Sequence, residues 1–265
     1  MNYSLIDTHC HLDLIETQGQ DITTSLEKSK VAGVKKIVQI GINLERSKIA
    51  RQIANETQTD IELSYTIGCH PADNIDSPEI EDISKMIEDK LEEKNFVGIG
   101  EIGLDYFHKT ETKDSQIKTF HHFMEISVKH ALPVIIHSRD AAEDTYQILK
   151  KYKGKAFGVI HCFTYNTEFA LKYAELGYYI SFSGILAFKN ATDIQEAARQ
   201  VPLESILIET DAPYLSPPPH RGKRNDSSNM PFILEKMFAL RNEANHKVEE
   251  KLYENSLKFI QRKAV

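Results

Sequence analysis

The sequence predicts an α/β fold, a single TIM-type (β/α)8 barrel. Three observations predict it: short β-branched runs alternate with charged segments of helical period, eight such runs occur, and polar residues gather at their carboxyl ends. The expected strands are Tyr3–Asp7, Lys36–Ile40, Leu63–Gly68, Phe96–Gly100, Pro133–His137, Gly158–His161, Tyr179–Phe182 and Ile206–Glu209. Val, Ile, Phe and Tyr dominate them, as strands buried on both faces require. Between them Asp21–Gly33, Leu44–Thr57, Pro78–Glu93, Lys113–Ala131, Asp140–Lys151, Thr167–Gly177 and Thr192–Val201 read as amphipathic helices, with Gly33 and Gly177 where C-terminal stops belong. Pro231–Asn242 and His246–Arg262 are two more helical patterns that complete and close the barrel. A doubly wound open sheet shows the same alternation, so strand count alone does not choose between the two.

The 265 residues, 41% hydrophobic and 27% charged, can bury a large core and suit one barrel domain over 1–265. With 32 basic against 39 acidic residues the net charge is −7, which excludes a surface coated for non-specific nucleic-acid or membrane binding. An anionic substrate must then be held by a local patch or by metal. Met1 to His11 carries no basic region followed by an apolar stretch, and no uncharged apolar run approaches the roughly 20 residues that span a bilayer, so a cytoplasmic protein is expected. Cys10, Cys69 and Cys162 are odd in number and far apart, which indicates neither a disulfide framework nor a zinc cluster. Each stands beside a histidine. Because side chains alternate along a strand, Cys10 should face away from His9 and His11 as a small buried hydrophobe.

Ionisable residues recur where strands end. The first strand leads into Asp7-Thr8-His9-Cys10-His11, and residues two apart on an extended segment share a face, so both imidazoles can reach one cation at about 2.0–2.1 Å if it is zinc. The fourth ends in Gly100-Glu101-Ile102-Gly103-Leu104-Asp105-Tyr106, a carboxylate among glycines that permit close approach, where a bridging ligand can sit. His137 ends the fifth strand, His161 the sixth, and Glu209-Thr210-Asp211 follows the eighth. At the carboxyl rim of a barrel these residues converge though scattered in sequence. Any one histidine has ordinary structural explanations; four together with two carboxylates point to a metal site.

Other residues carry weaker signals. His70, after the third strand in Gly68-Cys69-His70-Pro71, is read as a substrate contact, since six better-placed ligands exist. Arg139 either ties the next helix to the rim or offers its planar fork to phosphate oxygens. Arg221 and Arg224, in the loop Leu215–Met230 after Pro217-Pro218-Pro219, either bind substrate or belong to a solvated loop. Asp140 with Glu143 resembles a capping box. His121, His122, His130 and His246 lie in charged helical segments and read as solvated, and His108 has no evident role.

Five motifs in order, Asp7-Thr8-His9-Cys10-His11-Leu12-Asp13, Gly100 to Tyr106, Pro133-Val134-Ile135-Ile136-His137-Ser138-Arg139-Asp140-Ala141, Glu209-Thr210-Asp211-Ala212-Pro213-Tyr214-Leu215 and Arg221-Gly222-Lys223-Arg224-Asn225, span nearly the whole chain. In them the chain resembles the TatD family of metal-dependent deoxyribonucleases, within the wider amidohydrolase-like barrels. The resemblance implies one metal on His9, His11, Glu101 and Asp211 and a second on Glu101, His137 and His161. It also implies DNA as partner, cut from the 3′ end of single strands. Two divalent cations about 3.5–4 Å apart would activate a bridging water whose proton Asp211 takes as general base. Ligand type does not decide among zinc, manganese and magnesium. The chain departs from the family at Thr164-Tyr165-Asn166 and Asp226-Ser227-Ser228, loops expected to border the substrate. The alternative on the same barrel is a two-metal amidohydrolase or esterase, acting on a cyclic amide or deacylating D-aminoacyl-tRNA. A non-catalytic binding module has no need of a full ligand set. No membrane and no obligate protein partner are indicated.

Overall fold

The computed structural model describes residues 3–73 and 77–262. Eight strands, β1 (Leu5–Cys10), β2 (Val34–Gln39), β3 (Glu62–Ile67), β4 (Phe96–Asp105), β5 (Val134–Arg139), β6 (Gly158–Ile160), β7 (Tyr178–Phe182) and β8 (Ile206–Ile208), lie in sequential order. Every neighbouring pair from β1–β2 to β7–β8 is parallel. That order settles the choice left open by strand count, because a doubly wound sheet reverses direction at a switch point and this one never does.

The helices are α1 (Leu12–Thr17), α2 (Ile22–Val31), α3 (Leu44–Glu56), α4 (Ser77–Asp89), α5 (Lys113–His130), α6 (Ala142–Lys151), α7 (Thr167–Glu175), α8 (Thr192–Gln200), α9 (Met230–Leu240) and α10 (Asn245–Ile260). Asp21, Asn43 and Asn166 cap α2, α3 and α7 through side-chain oxygens that accept from Thr24, Arg46 and Phe169 N–H. Gly33 and Gly177 follow α2 and α7 at φ 93° and 91°, the left-handed stop expected of them. No helix is long and apolar enough to cross a membrane among the described residues.

Three expectations are corrected. β1 lies at Leu5–Cys10 rather than Tyr3–Asp7, so His9 stands inside the strand. The short helix α1 follows it, where no helix was expected. Asp140 and Glu143 form no capping box: α6 has Ala141 at its N-cap without a side-chain bond, and Asp140 adopts φ 54°.

Two apolar layers position the site. A large cluster fills the space between strands and helices, while Ile135, Val159, Tyr179 and Leu207 form a separate cluster with Phe259 of α10. These four belong to consecutive strands and, with Val38, Ile40 and Val97 from the other side, form the barrel's inner filling, with Phe259 as its plug. Arg262, just beyond α10, donates to the Leu91 and Phe96 carbonyls, the latter at the start of β4, so the plug closes the amino end of the barrel. Along each strand the inner face recurs every second residue. Ile135 therefore leads to His137, Val159 to His161, and Leu207 to Glu209 and Asp211, which places polar groups above an apolar floor.

The seam between β1 and β8 is closed by a single parallel bridge, Cys10 to Ala212, rather than by a ladder. Asp211 N–H donates to the His9 carbonyl at 3.0 Å, and His11 N–H to the Ala212 carbonyl at 2.8 Å. Beneath them the buried Asp7 carboxylate accepts from Thr210 N–H (2.9 Å), Thr210 Oγ1 (2.5 Å), Ser227 Oγ (2.6 Å) and His9 N–H (3.3 Å). Burial pushes its carboxyl up to about 6 against the pull of those donors. Cys10 is fully buried in the outer cluster, as its alternation with His9 and His11 required.

Candidate metal centre

Glu101 occupies the middle of the rim. Its position needs glycines: a Cβ on Gly68 of the neighbouring strand end would lie 2.2 Å from the Glu101 nitrogen, and one on Gly103 would lie 2.0 Å from the His137 carbonyl oxygen. One carboxylate oxygen, Oε1, lies 2.7 Å from His137 Nδ1, 2.8 Å from His161 Nε2 and 3.5 Å from His70 Nε2. The other, Oε2, lies 3.5 Å from His9 Nε2. Burial works to raise this carboxyl, but the imidazoles of His161, His70 and His137 hold it well below the usual carboxylate range.

On the Oε2 side, His9 Nε2 is 3.2 Å from His11 Nε2, and Asp211 Oδ1 is 3.7 Å from both. Four ligands around one tetrahedral cation at 2.0–2.1 Å stand about 3.3 Å apart, close to the separations found. Two facing imidazole nitrogens beside two carboxylates, all largely buried, make little sense without a cation between them. Desolvation and the neighbouring His9 lower His11 to about 4, so its ring is neutral and ready to ligate, and burial pushes Asp211 up to about 6. The donor set therefore fits a divalent metal. On the Oε1 side, His137, His161 and Glu101 converge as a second candidate set.

Carboxylates behind the histidines orient them. His137 Nε2 lies 3.1 Å from Asp105 Oδ2, whose partner oxygen accepts from Phe107 and His108 N–H. His161 Nδ1 lies at ion-pair distance, 3.4 Å, from Glu209 Oε1 without forming a hydrogen bond, and Glu209 accepts from Cys162 N–H and Ser181 Oγ. Such outer partners fix which ring nitrogen faces a metal. Asp13, beside His11, is held by Gln39 Nε2 at 2.7 Å and Arg46 Nη1 at 2.5 Å. Asp105, Glu209 and Asp13 were not singled out from the sequence. Spacing could have found the first two, since Asp105 follows Glu101 by four along one strand and Glu209 precedes Asp211 by two.

His70 differs from the others. Its Nδ1 accepts Ala72 N–H at 3.1 Å, so the neutral ring carries its proton on Nε2, the atom facing Glu101. Desolvation keeps it neutral, lowered to about 3. A protonated nitrogen is a hydrogen-bond donor and no ligand, although among the described residues His70 stands close enough to Glu101 and His137 to share an ion, as do His9, His11 and Asp211, and His9, His161 and Glu209.

The sequence matches the model of the TatD-related DNase family over residues 6–261. The chain belongs to this family. It is 38% identical over 240 residues to the uncharacterized metal-dependent hydrolase YcfH of Escherichia coli, covering 89% of this chain and 88% of that one. It is 38% identical over 238 residues to the uncharacterized metal-dependent hydrolase YabD of Bacillus subtilis, covering 89% and 91%. Its fold superposes on the crystal structure of YjjV, a TatD homologue from Escherichia coli, with a TM-score of 0.90, 27% identity and 98% of both chains covered.

The remaining expected residues of this TatD-family chain lie around the rim at varied distances from the cluster. Arg139, exposed at the end of β5, stacks its guanidinium 4.1 Å from the Phe107 ring centroid. Arg221 stacks 4.3 Å over Phe188, and Arg224 stands exposed in the same loop, near Gly19. The loop itself is anchored by Asn225, whose amide donates to the carbonyls of Thr210 and Tyr214. The variant segments serve structure: Ser227 belongs to the Asp7 clasp, Asp226 accepts from Ser228 N–H, and Tyr165 reaches Ser138 Oγ and Ala141 N–H.

Proposed function

We propose that this protein is a metal-dependent phosphodiesterase that hydrolyses DNA, trimming single strands from the 3′ end. The observation that carries the reading is the Glu101 carboxylate, one oxygen turned to His137 and His161 and the other to His9. A single side chain so placed can serve two cations at once, the first completed by His11 and Asp211. Bound divalent cations would supply Lewis acidity and offset the charge of a phosphodiester.

The chain's own residues then have distinct tasks. Asp211 is the base: its carboxylate stands beside His9 and His11, Oδ1 3.7 Å from each Nε2, where it can take the proton of the attacking water. His70 donates Nε2–H to a phosphoryl oxygen and orients the substrate. Asp105 and Glu209 hold His137 and His161 with the correct nitrogens forward. Arg139, Arg221 and Arg224 offer exposed guanidiniums at the rim for phosphates on either side of the scissile bond. Support for DNA comes from the family's description, and an overall charge of −7 leaves phosphate binding to these local groups. Elemental analysis of the purified protein, with a product ladder from end-labelled single-stranded DNA, tests the reading. A ladder shortening from the 3′ end is expected. Metal-loaded protein that leaves DNA intact while opening a cyclic amide or deacylating D-aminoacyl-tRNA would replace it.

A further inference from the structure

Among the described residues the large hydrophobic side chains left exposed are Val31, Phe107 and Tyr214. Val31 ends α2. The other two rings, 59% and 49% exposed, stand on the rim that carries the histidine cluster. Exposed hydrophobes scattered singly need no explanation, but these two are tied to that cluster through the backbone. Phe107 follows β4, and its N–H donates to Asp105 Oδ1 at 3.0 Å, the carboxylate that also holds His137. Tyr214 follows β8, and its N–H donates to the Asp211 carbonyl at 3.0 Å. In a barrel of eight sequential strands, β4 and β8 lie on opposite walls, so the metal-ligating cluster lies between the two rings.

The Phe107 ring stands beside positive charge. The Arg139 guanidinium stacks on Phe107, and His108 meets the same ring edge-on at 4.8 Å, which leaves its remaining face to solvent. The pairing of Asp105 with Arg139 in the β4–β5 ladder fixes the stack to the rigid scaffold. The Tyr214 ring, half exposed, offers a second flat face to solvent. A flat apolar surface with an adjoining cation recognises one chemistry above others, an unpaired nucleobase attached to a phosphate.

We infer that Phe107 and Tyr214 are two base-stacking platforms, one on each side of the cluster, which hold the unpaired bases flanking the scissile phosphate of a single strand. The inference rests on the phosphodiesterase reading above and deepens it by assigning the strandedness to named residues. Bases in a duplex are already stacked on one another and offer these rings no free face, so the platforms select single strands and frayed ends. Arg139 holds the Phe107 ring by one face while its fork remains open to the adjoining phosphate.

The test compares a short oligothymidylate with an abasic oligomer of the same length, identical in charge but without bases. Binding is followed by fluorescence anisotropy and cleavage by product analysis, on the metal-loaded protein and its Phe107→Ala and Tyr214→Ala variants. The unaltered protein should bind the thymidylate more tightly than the abasic chain, with each alanine removing on the order of tenfold of that preference. Phe107→Tyr and Tyr214→Phe should restore it. Equal binding of the two oligomers, or variants that weaken both alike, would overturn the platforms, since a purely structural role would not distinguish them. A base preference without cleavage would leave the platforms standing and sink the phosphodiesterase reading. Failure to bind either oligomer would end both.

Discussion

Asp105→Asn isolates the orienting carboxylate with the smallest change of shape. Asp105 Oδ1 accepts Phe107 N–H at 3.0 Å and His108 N–H at 2.8 Å, while Oδ2 faces His137 Nε2 at 3.1 Å and His108 Nδ1 at 2.8 Å. The two backbone donors require an oxygen, so the asparagine amide must turn its nitrogen toward His137. An amide nitrogen only donates, so His137 Nε2 becomes an acceptor and the proton of the neutral ring moves to Nδ1. That is the atom 2.7 Å from Glu101 Oε1, on the side where the second cation would bind, and a protonated nitrogen cannot ligate. Loss of an orienting partner of this kind costs about 10- to 100-fold in metal affinity, about 1.4–2.7 kcal/mol. Calorimetric titration of the metal-free protein with zinc or manganese should therefore show one of two sites weakened by that factor and the other little changed. The thermal midpoint should stay close to that of the unaltered protein, because both backbone N–H groups keep an acceptor. Unaltered affinity at both sites would refute the tautomer argument and, with it, the role of Asp105.

Glu101→Gln should lower the metal content from two cations toward one, since its amide nitrogen cannot ligate; elemental analysis finding two would remove Glu101 as the bridge. His137→Ala should cut DNA turnover by more than about a hundredfold with a near-normal melting curve, because the rim carries function and the layers beneath carry stability. Replacing Arg221 and Arg224 together by Ala should reduce the slope of log binding constant against log salt by about 1.4 for single strands, measured by anisotropy; an unchanged slope returns the loop to solvent. Asp7→Ala strands the N–H groups of Thr210 and His9, at about 1–3 kcal/mol each, and should lower the melting point by several degrees, whereas Asp7→Asn should cost less; calorimetry giving equal midpoints would refute the clasp.

The barrel was legible because parallel strands buried on both faces read as unbroken β-branched runs, and β5 and β7 show it most plainly. β1 was misplaced because Asp7, Thr8 and His9 fill its second half with polar side chains, so the apolar signal survives only at its start. The hairline between strand and site is the same at β8, where the ladder stops at Ile208 yet Glu209 and Asp211 continue its inner face. Helix α1 has six residues and no side-chain cap, too little signal for periodicity to register. Asp140 and Glu143 carried the spacing of a cap without its geometry, since the left-handed turn at Asp140 leaves its side chain no bond to the α6 N-terminus. The six candidate ligands stood out as polar residues after apolar runs. Their orienting carboxylates did not: Asp105 and Glu209 stand near Glu101 and Asp211 in sequence, but the histidines they face, His137 and His161, meet them only through the fold.

The seam ties the birth of the site to the order in which the chain is made. The backbone hydrogen bonds that join the end of β1 to the segment after β8 are carried by His9, His11, Asp211 and Ala212, and the Asp7 clasp beneath spans 203 residues to Thr210. Contacts so distant in sequence form late, after loop-closure entropy has been met by more local pairings. A ribosome-bound chain that has completed β1 to β7 holds five of the six candidate ligands but cannot bring Asp211 to His9 and His11. Barrel closure and assembly of the first ligand set are then one event, and a truncated product ending before β8 is a protein without that cation site.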